Sequence, residues 1–416
     1  MTDGAAMTEG AMGTDGASTT DSVAGASGAA RTDGAGGSGV ALRVAFVAGV
    51  AAGGTAAHLA VLARGCREAG VTVSVLAPPA TLGLIRAGSA TPGPLVPLPM
   101  GTGPRPDRDA ATVARLRGWL ATWRPDIVHA HGVRAGALSA VAIALLRRAA
   151  RPPLVVTVHN APPDGHAAAA VHAQLERVCA RRADLVLCAS ADLLARMRAR
   201  GATSAEQFDV PAAPAAPPTA ADIAAVRREL SPDGRPIVLA AGRLAPQKGL
   251  DVLIDAAARW RDRDRRPVTA IAGDGPLAEA LAAQAAGLAD GDVRLLGRRS
   301  DVPALLGAAD VVVVPSRWEA RALIVQEAMR AGRPVVATHV GGIPDLTGAG
   351  ALLVPPGDPA ALAAAVTAVL DQPALAARLG QAARAQATSF PSAADALAAT
   401  LAQYARLTAR RASRAR

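Results

Sequence analysis

Apolar positions in this chain come in short unbroken runs, and the stretches between them carry helical spacing. The first run, Leu42-Arg-Val-Ala-Phe-Val47, reads as a strand buried on both faces, because continuous rather than alternating apolar residues need cover on each side. It leads through Gly49-Val-Ala-Ala-Gly-Gly-Thr55 into a helical pattern over 56–69 and a second strand over 71–76. Further strands read at 126–132, 154–160 and 184–189, with helices at 110–123, 135–148 and 190–200. Residues 78–108, rich in Pro and Gly, read as a loop. Pro211-Ala-Ala-Pro-Ala-Ala-Pro-Pro218 reads as a linker or hinge. Beyond it the alternation resumes, with strands at 237–241, 268–272, 293–296, 311–314, 335–338 and 351–354. Helices at 359–370, 374–387 and 393–410 follow, and the Arg-rich end is expected to fray.

Two βα runs flanking a linker predict an α/β protein of two doubly wound, Rossmann-like domains facing each other. The expected division is a disordered low-complexity tail over 1–40, a first domain over 41–212, a second over 213–388, and a last helix with a basic tail over 389–416.

Composition narrows the partners. The chain is 51% hydrophobic but only 2% aromatic, so Ala, Val and Leu must fill two cores, and base-stacking platforms for single-stranded nucleic acid are excluded. A net charge of +10 favours acidic partners, and with no nucleic-acid motif the expectation is small phosphates and a peripheral contact with anionic membrane. Cys66, Cys179 and Cys188 share no metal-type spacing and suit reduced thiols. No signal peptide is visible, and no apolar run reaches the ~20 residues of a spanning helix. A cytoplasmic protein, soluble or peripheral at the inner face of the membrane, is expected.

Lys248 is the only lysine among 44 basic residues. It lies in Gly242-Arg243-Leu244-Ala245-Pro246-Gln247-Lys248-Gly249, between a strand and a helix, where an α/β sheet binds anions. A lone Lys in an arginine background marks a place where a compact ammonium is wanted. Other unusual residues also follow strands: Gly273-Asp274-Gly275-Pro276, Gly297-Arg298-Arg299, Pro315-Ser-Arg-Trp-Glu-Ala-Arg-Ala322 and Gly341-Gly342. Five loops then converge at one sheet edge. Glu319 sits in the fourth loop, and Glu327 interrupts the apolar helical run Leu323-Ile-Val-Gln-Glu-Ala-Met329. A carboxylate there needs partners, and sugar hydroxyls serve because an ionised carboxylate only accepts; the alternative partner is Arg330. The amino end of that run, at Leu323 and Ile324, offers free N–H groups. In the first half, Gly53-Gly54 admits close backbone approach, and His159 with Asn160, the only asparagine, ends a strand where a cleft opens. Of the strand-borne pair His129 and His131, the first reads as packed inside.

Together these stretches resemble the donor-binding half of retaining GT-B glycosyltransferases, glycosyltransferase family 4, sharpest over 236–358 and running from about 42 to 407. The resemblance implies that Arg243 and Lys248 hold a donor diphosphate, that Glu327 takes the ribose hydroxyls, and that Glu319 and the backbone after it contact the transferred sugar. Gly53, Gly54, Gly273, Arg298, Leu323 and Ile324 would line the donor site, and His159, with His131 and Asn160 on the acceptor side, would face the reacting sugar. The last helix would cross back onto the first domain. The implied reaction moves a sugar from a UDP- or GDP-linked donor to an acceptor hydroxyl with retention, with no metal and no cofactor, in glycolipid, cell-envelope polysaccharide or small-glycoside synthesis. The acceptor it implies is either lipid-linked or a small molecule.

Departures keep a second reading open. Ala320-Arg321-Ala322 stand where family members often carry Gly and an aromatic, so a Cβ and an extra charge are expected beside the sugar. A non-catalytic nucleotide-binding module assisting a partner enzyme is the alternative. Asp-x-Asp pairs at 107–109, 262–264 and 290–292 lie in polar, surface-like segments and are not expected to hold metal. Trp318 reads as a pocket wall or a base-stacking partner, and Arg147, Arg148 and Arg151 as a lipid-facing cluster.

Overall fold

The computed structural model describes residues 41–50, 54–87, 93–101, 103, 105–160, 165–212, 215–288 and 292–415. The expected 1–40 tail and Gly53 lie outside the described residues.

Two parallel sheets organise the chain. The first holds β1 (Arg43–Ala48), β2 (Thr72–Ala77), β3 (Leu95–Pro97), β4 (Ile127–His131), β5 (Leu154–Val158), β6 (Leu185–Cys188) and β7 (Ala205–Gln207), in the order β3-β2-β1-β4-β5-β6-β7. The second holds β8 (Ile237–Ala241), β9 (Val268–Ala272), β10 (Val293–Gly297), β11 (Val311–Val314), β12 (Val335–Thr338) and β13 (Ala351–Val354), in the order β10-β9-β8-β11-β12-β13. Strands such as β4, β5, β9 and β11 are buried along their whole length, as helices on both faces require. One device recurs at the amino edges. Asp126, Asp184 and Asp310, each just before a strand, accept the first N–H of the neighbouring strand, at Arg43 (2.9 Å), Leu154 (2.9 Å) and Ile237 (2.7 Å).

Residues 78–108 are not one loop. Pro79–Ala87 is a helix, started by a proline whose missing N–H costs nothing in the first turn, with Leu82 and Ile85 buried beneath it. Leu95–Pro97 is the edge strand, and the next helix already starts at Pro106. The expected helix 135–148 stops at Ala144, where Arg151 folds back to donate to the carbonyls of Ala144 (2.6 Å) and Leu146 (3.1 Å). His166–Arg182 forms a helix that the apolar pattern left unread.

The Arg-rich end does not fray: the last helix runs Ala393–Ala415. It crosses back to the first lobe. Tyr404, fully buried, meets His129 Nδ1 at 2.6 Å; Gln403 donates to Glu206 (2.6 Å) and Arg411 to the Ala149 carbonyl (3.2 Å).

A buried acid fastens two helices of the first lobe. Glu176 on His166–Arg182 has no exposed side-chain surface and faces His172 (3.4 Å), Arg196 (2.6 Å) and Arg200 (3.3 Å), the arginines on or just beyond Ala191–Ala199. Burial alone would raise its carboxyl, but the hydrogen bonds and charges of His172 and Arg196 hold it down to about 2. A folded pKa below the unfolded value gives stability that is present above about pH 4.5 and lost as pH falls toward 2. Glu176→Gln is expected to cost about 3 kcal/mol in urea unfolding at pH 7, with the gap to wild type closing on acidification. A constant gap from pH 7 to 3 would refute the role.

Candidate active site

The site forms at the carboxyl ends of the second sheet, where backbone loops are stitched together. Gly242 donates to Ala272 (2.9 Å) and Gly273 to Gly297 (2.8 Å), so the turns after β8, β9 and β10 lie side by side. A Cβ on Gly273 would stand 1.8 Å from the Gly242 carbonyl oxygen, so only glycine fits that crossing. The Gly242–Gly249 loop is tied to the loop after β11. Arg317 N–H donates to the Gln247 carbonyl (2.7 Å), and the Gln247 side chain to the Trp318 carbonyl (2.8 Å).

These ties bring Lys248 onto Glu319. The ammonium Nζ lies 2.5 Å from Glu319 Oε1, which also accepts from Ser316 Oγ at 2.8 Å. Glu319 is only 5% exposed. Lys248, Ser316 and Gly242 line one small crevice with Ile324, at the amino end of Leu323–Arg330. Arg243 is exposed on the same loop, and among the described residues no hydrogen bond or ion pair engages its side chain. Arg298 is likewise exposed, whereas its neighbour Arg299 is committed to Glu229 and Asp301.

Glu327 is half-buried on Leu323–Arg330. No hydrogen bond or ion pair reaches its carboxylate among the described residues. The expected alternative, a bond to Arg330, does not form. Burial raises the Glu327 carboxyl, offset only in part by the charge of Arg330.

The first lobe closes over this edge. A Cβ on Gly54 would come 2.8 Å from Leu323 Cδ1, and Trp318 Nε1 donates to Asp192 Oδ2 at 2.9 Å. Trp318 therefore ties the two lobes together through its indole N–H. His159 and Asn160 directly follow β5, with Asn160 exposed. His131 is 3% exposed and lies behind His159, its Nδ1 3.3 Å from His159 Nε2 and the two rings stacked with centroids 5.5 Å apart. His131 is thus packed against His159 and buried rather than at the surface. His129 is fully buried as expected, between Tyr404 and Thr157. Burial, with a contribution from His58, lowers His159 to about 3, so the ring at the cleft is neutral at pH 7.

Arg321 pairs with Asp209 at 2.7 Å, which offsets the extra charge expected from it; Ala320 is buried. Of the Asp-x-Asp pairs, Asp109 binds Arg134, and Asp292 binds Arg235 and Arg266. Among the described residues no group of three or more His, Cys, Asp or Glu is placed to hold a metal ion. The sequence missed Ser316, Asp192, His58 and Tyr404; only Tyr404, the lone tyrosine, carried a signal of its own.

Paired parallel-sheet lobes with a returning last helix define the GT-B class. The chain matches two family descriptions, Glycosyl transferase 4-like domain over residues 53–213 and Glycosyl transferases group 1 over 235–372. It is 31% identical over 335 residues to phosphatidyl-myo-inositol mannosyltransferase of Mycobacterium leprae, covering 76% of this chain and 84% of that protein. It is 36% identical over 277 residues to 2-deoxystreptamine N-acetyl-D-glucosaminyltransferase of Streptomyces fradiae, covering 60% of this chain and 64% of that protein. Alpha-D-kanosaminyltransferase of Streptomyces kanamyceticus is matched over 44% of its length at 37% identity, across 39% of this chain, so the chain spans less than two thirds of several curated relatives. HepE of Anabaena, solved with UDP and glucose, superposes with a TM-score of 0.72 at 23% identity, covering 88% of this chain and 99% of that one. The chain belongs to the GT-B glycosyltransferases of family 4.

Proposed function

We propose that the protein transfers a sugar from a UDP- or GDP-linked donor to an acceptor hydroxyl, with retention and without a metal. The observation that carries this reading is the Lys248–Glu319 contact, set at the amino end of a helix whose own acid, Glu327, is half-buried with no hydrogen-bond or ion-pair partner among the described residues. An arriving diphosphate takes Lys248 away from Glu319 and meets Arg243 and the free N–H groups near Leu323 and Ile324. Glu319, released, accepts from hydroxyls of the transferred sugar, and Glu327 from those of the ribose. As the sugar–phosphate bond breaks, negative charge grows on the diphosphate, and each preorganised cationic contact lowers the barrier by about 2–4 kcal/mol. The acceptor hydroxyl enters from the leaving-group face, and its proton passes to the departing phosphate, so no enzyme nucleophile is needed. Neutral His159 at the cleft hydrogen-bonds the reacting sugar.

Relatives named for 2-deoxystreptamine and phosphatidyl-myo-inositol support a polyhydroxylated ring as acceptor, free or on a lipid. Incubation with a panel of UDP- and GDP-sugars, each with and without 2-deoxystreptamine or myo-inositol, tests the assignment. Nucleotide release that rises with a matching acceptor and survives EDTA is expected. Tight nucleotide binding with no turnover across the panel would instead mean a non-catalytic module.

Access to a lipid-borne acceptor has a candidate surface. Val141 and Leu145 are 43% and 55% exposed beside Arg147 and Arg148. Arg151 is also exposed, with its guanidinium donating to the carbonyls of Ala144 and Leu146. Among the described residues no single helix is long and apolar enough to cross a membrane. Sedimentation with phosphatidylglycerol vesicles at low salt, released by salt and by Leu145→Asp, is expected; failure to sediment at any salt removes the membrane contact.

A further inference from the structure

Both chain crossings between the lobes pass one side chain. Arg321 stands between the donor-site acid Glu319 and Leu323, the first residue of the helix that faces the diphosphate. Its side chain is 11% exposed, and its guanidinium lies 2.7 Å from Asp209, on the segment leading from β7 into the second lobe. The same guanidinium carbon stands 5.8 Å from the ring centroid of Phe390, on the second crossing, between Pro373–Ala387 and Ala393–Ala415; Arg330 stands 5.9 Å from that ring. One turn further along, fully buried Gln326 donates to the Val210 carbonyl (2.9 Å) and accepts from Ala212 N–H (3.1 Å). The donor-site helix is thus bonded to the interlobe segment by Arg321 at its start and Gln326 in its middle.

We propose that Arg321 is a positioning residue for the donor: its ion pair with Asp209 braces the donor loop and the start of the Leu323–Arg330 helix against the interlobe crossing. Donor affinity then depends on a contact that no donor atom touches. The inference rests on the donor-site reading above.

The energetics of the pair are lopsided. Asp209 is 44% exposed and keeps its water, whereas Arg321 loses most of its hydration and leaves Nε buried without a partner. A pair that surrenders this much solvation gives back little net stability. Holding the charge there fixes geometry, because the short ion pair joins the donor loop to the interlobe segment at one defined point. Methionine of similar length would relieve the desolvation and keep the volume.

Arg321→Met and Asp209→Asn are compared with wild type in three readouts: thermal midpoint, UDP and GDP affinity by calorimetry, and interlobe distance by spin labels. Labels at Arg117→Cys and Ala364→Cys, both exposed and one in each lobe, avoid the native cysteines, which are all buried. Arg321→Met is expected to keep or raise the midpoint, yet weaken nucleotide binding about tenfold and broaden the interlobe distances. Asp209→Asn is expected to weaken binding in parallel. The distance measurement needs no ligand, so narrow wild-type distances that broaden in both variants support the brace even if the wild type binds no nucleotide, in which case the donor-site reading alone falls. Unchanged distances in both variants overturn the brace. Broadened distances with unchanged nucleotide affinity overturn its role in positioning the donor.

Discussion

Replacing Lys248 with Ala is expected to lower turnover with any nucleotide-sugar donor by about 10²- to 10³-fold, the loss typical of removing one preorganised contact to developing charge. The structure adds a complication that a surface lysine would not bring. Lys248 is the ion-pair partner of Glu319, which is 5% exposed and otherwise held by Ser316. Deleting the ammonium strands that carboxylate, and a buried unpaired charge costs about 3–5 kcal/mol. A loss of activity in Lys248→Ala alone could then report a weakened fold. The double variant Lys248→Ala/Glu319→Gln separates the two effects. It is expected to regain most of the thermal midpoint, because neither charge remains, while UDP and GDP affinity stays low. Recovery of nucleotide affinity together with stability would show that Lys248 serves Glu319 and not a diphosphate. The resting contact also predicts competition: a bound diphosphate must break the Lys248–Glu319 pair before Glu319 can face a sugar. Glu319→Gln is therefore expected to bind free UDP more tightly than wild type, while losing turnover.

How much of this was legible in the chain depends on the range of the interaction. The strands of the second lobe could be read almost to the residue, because Ile237–Ala241, Val311–Val314 and Val335–Thr338 are unbroken apolar runs. The loops that follow them could be placed at one edge by topology alone. The helix Pro79–Ala87 was hidden because its proline and glycine mimic loop composition, although proline is tolerated in a first turn. The helix His166–Arg182 was hidden for the opposite reason: its run of alanines is apolar without a marked stripe. Contacts between loops far apart in sequence could not be read. Arg321 looked like charge added beside a sugar, and only the folded chain shows Asp209 pairing with it. His131 looked like a cleft residue because it ends β4, yet the strand stops one layer beneath His159. Lys248 and Glu319 were each singled out, but their meeting depends on Gly249. A Cβ there would stand 2.1 Å from the Pro315 carbonyl oxygen, and its φ of +60° is one that glycine adopts freely.

Glu327 gives the second large effect, and pH exposes it. The carboxyl is half-buried, has no hydrogen-bond or ion-pair partner among the described residues, and is raised by that burial. A group whose folded pKa lies above its unfolded value contributes stability below the unfolded pKa and loses it as pH rises through the folded one. The half-buried carboxylate thus weakens the fold at neutral pH, and a ligand whose hydroxyls donate to it offsets that cost. Glu327→Gln is expected to raise the thermal midpoint of the unliganded protein at pH 7, with the gain shrinking at pH 4, where the wild-type acid is already protonated. Nucleotide affinity should move the other way. Hydrogen bonds to a charged acceptor are worth about 1.5–3 kcal/mol, so the variant is expected to bind UDP about 10- to 100-fold more weakly at pH 7. Wild-type affinity should fall on acidification at a pH higher than an ordinary glutamate would give, because the protonated carboxyl accepts poorly from ribose hydroxyls. The variant should lack that step. The contrast is sharpest with 2′,3′-dideoxy-UDP, which cannot donate to Glu327: wild type and variant should bind it equally. If Glu327→Gln leaves UDP affinity unchanged, or if the dideoxy nucleotide discriminates between the two proteins as UDP does, the ribose is held elsewhere and the unpaired acid needs another explanation.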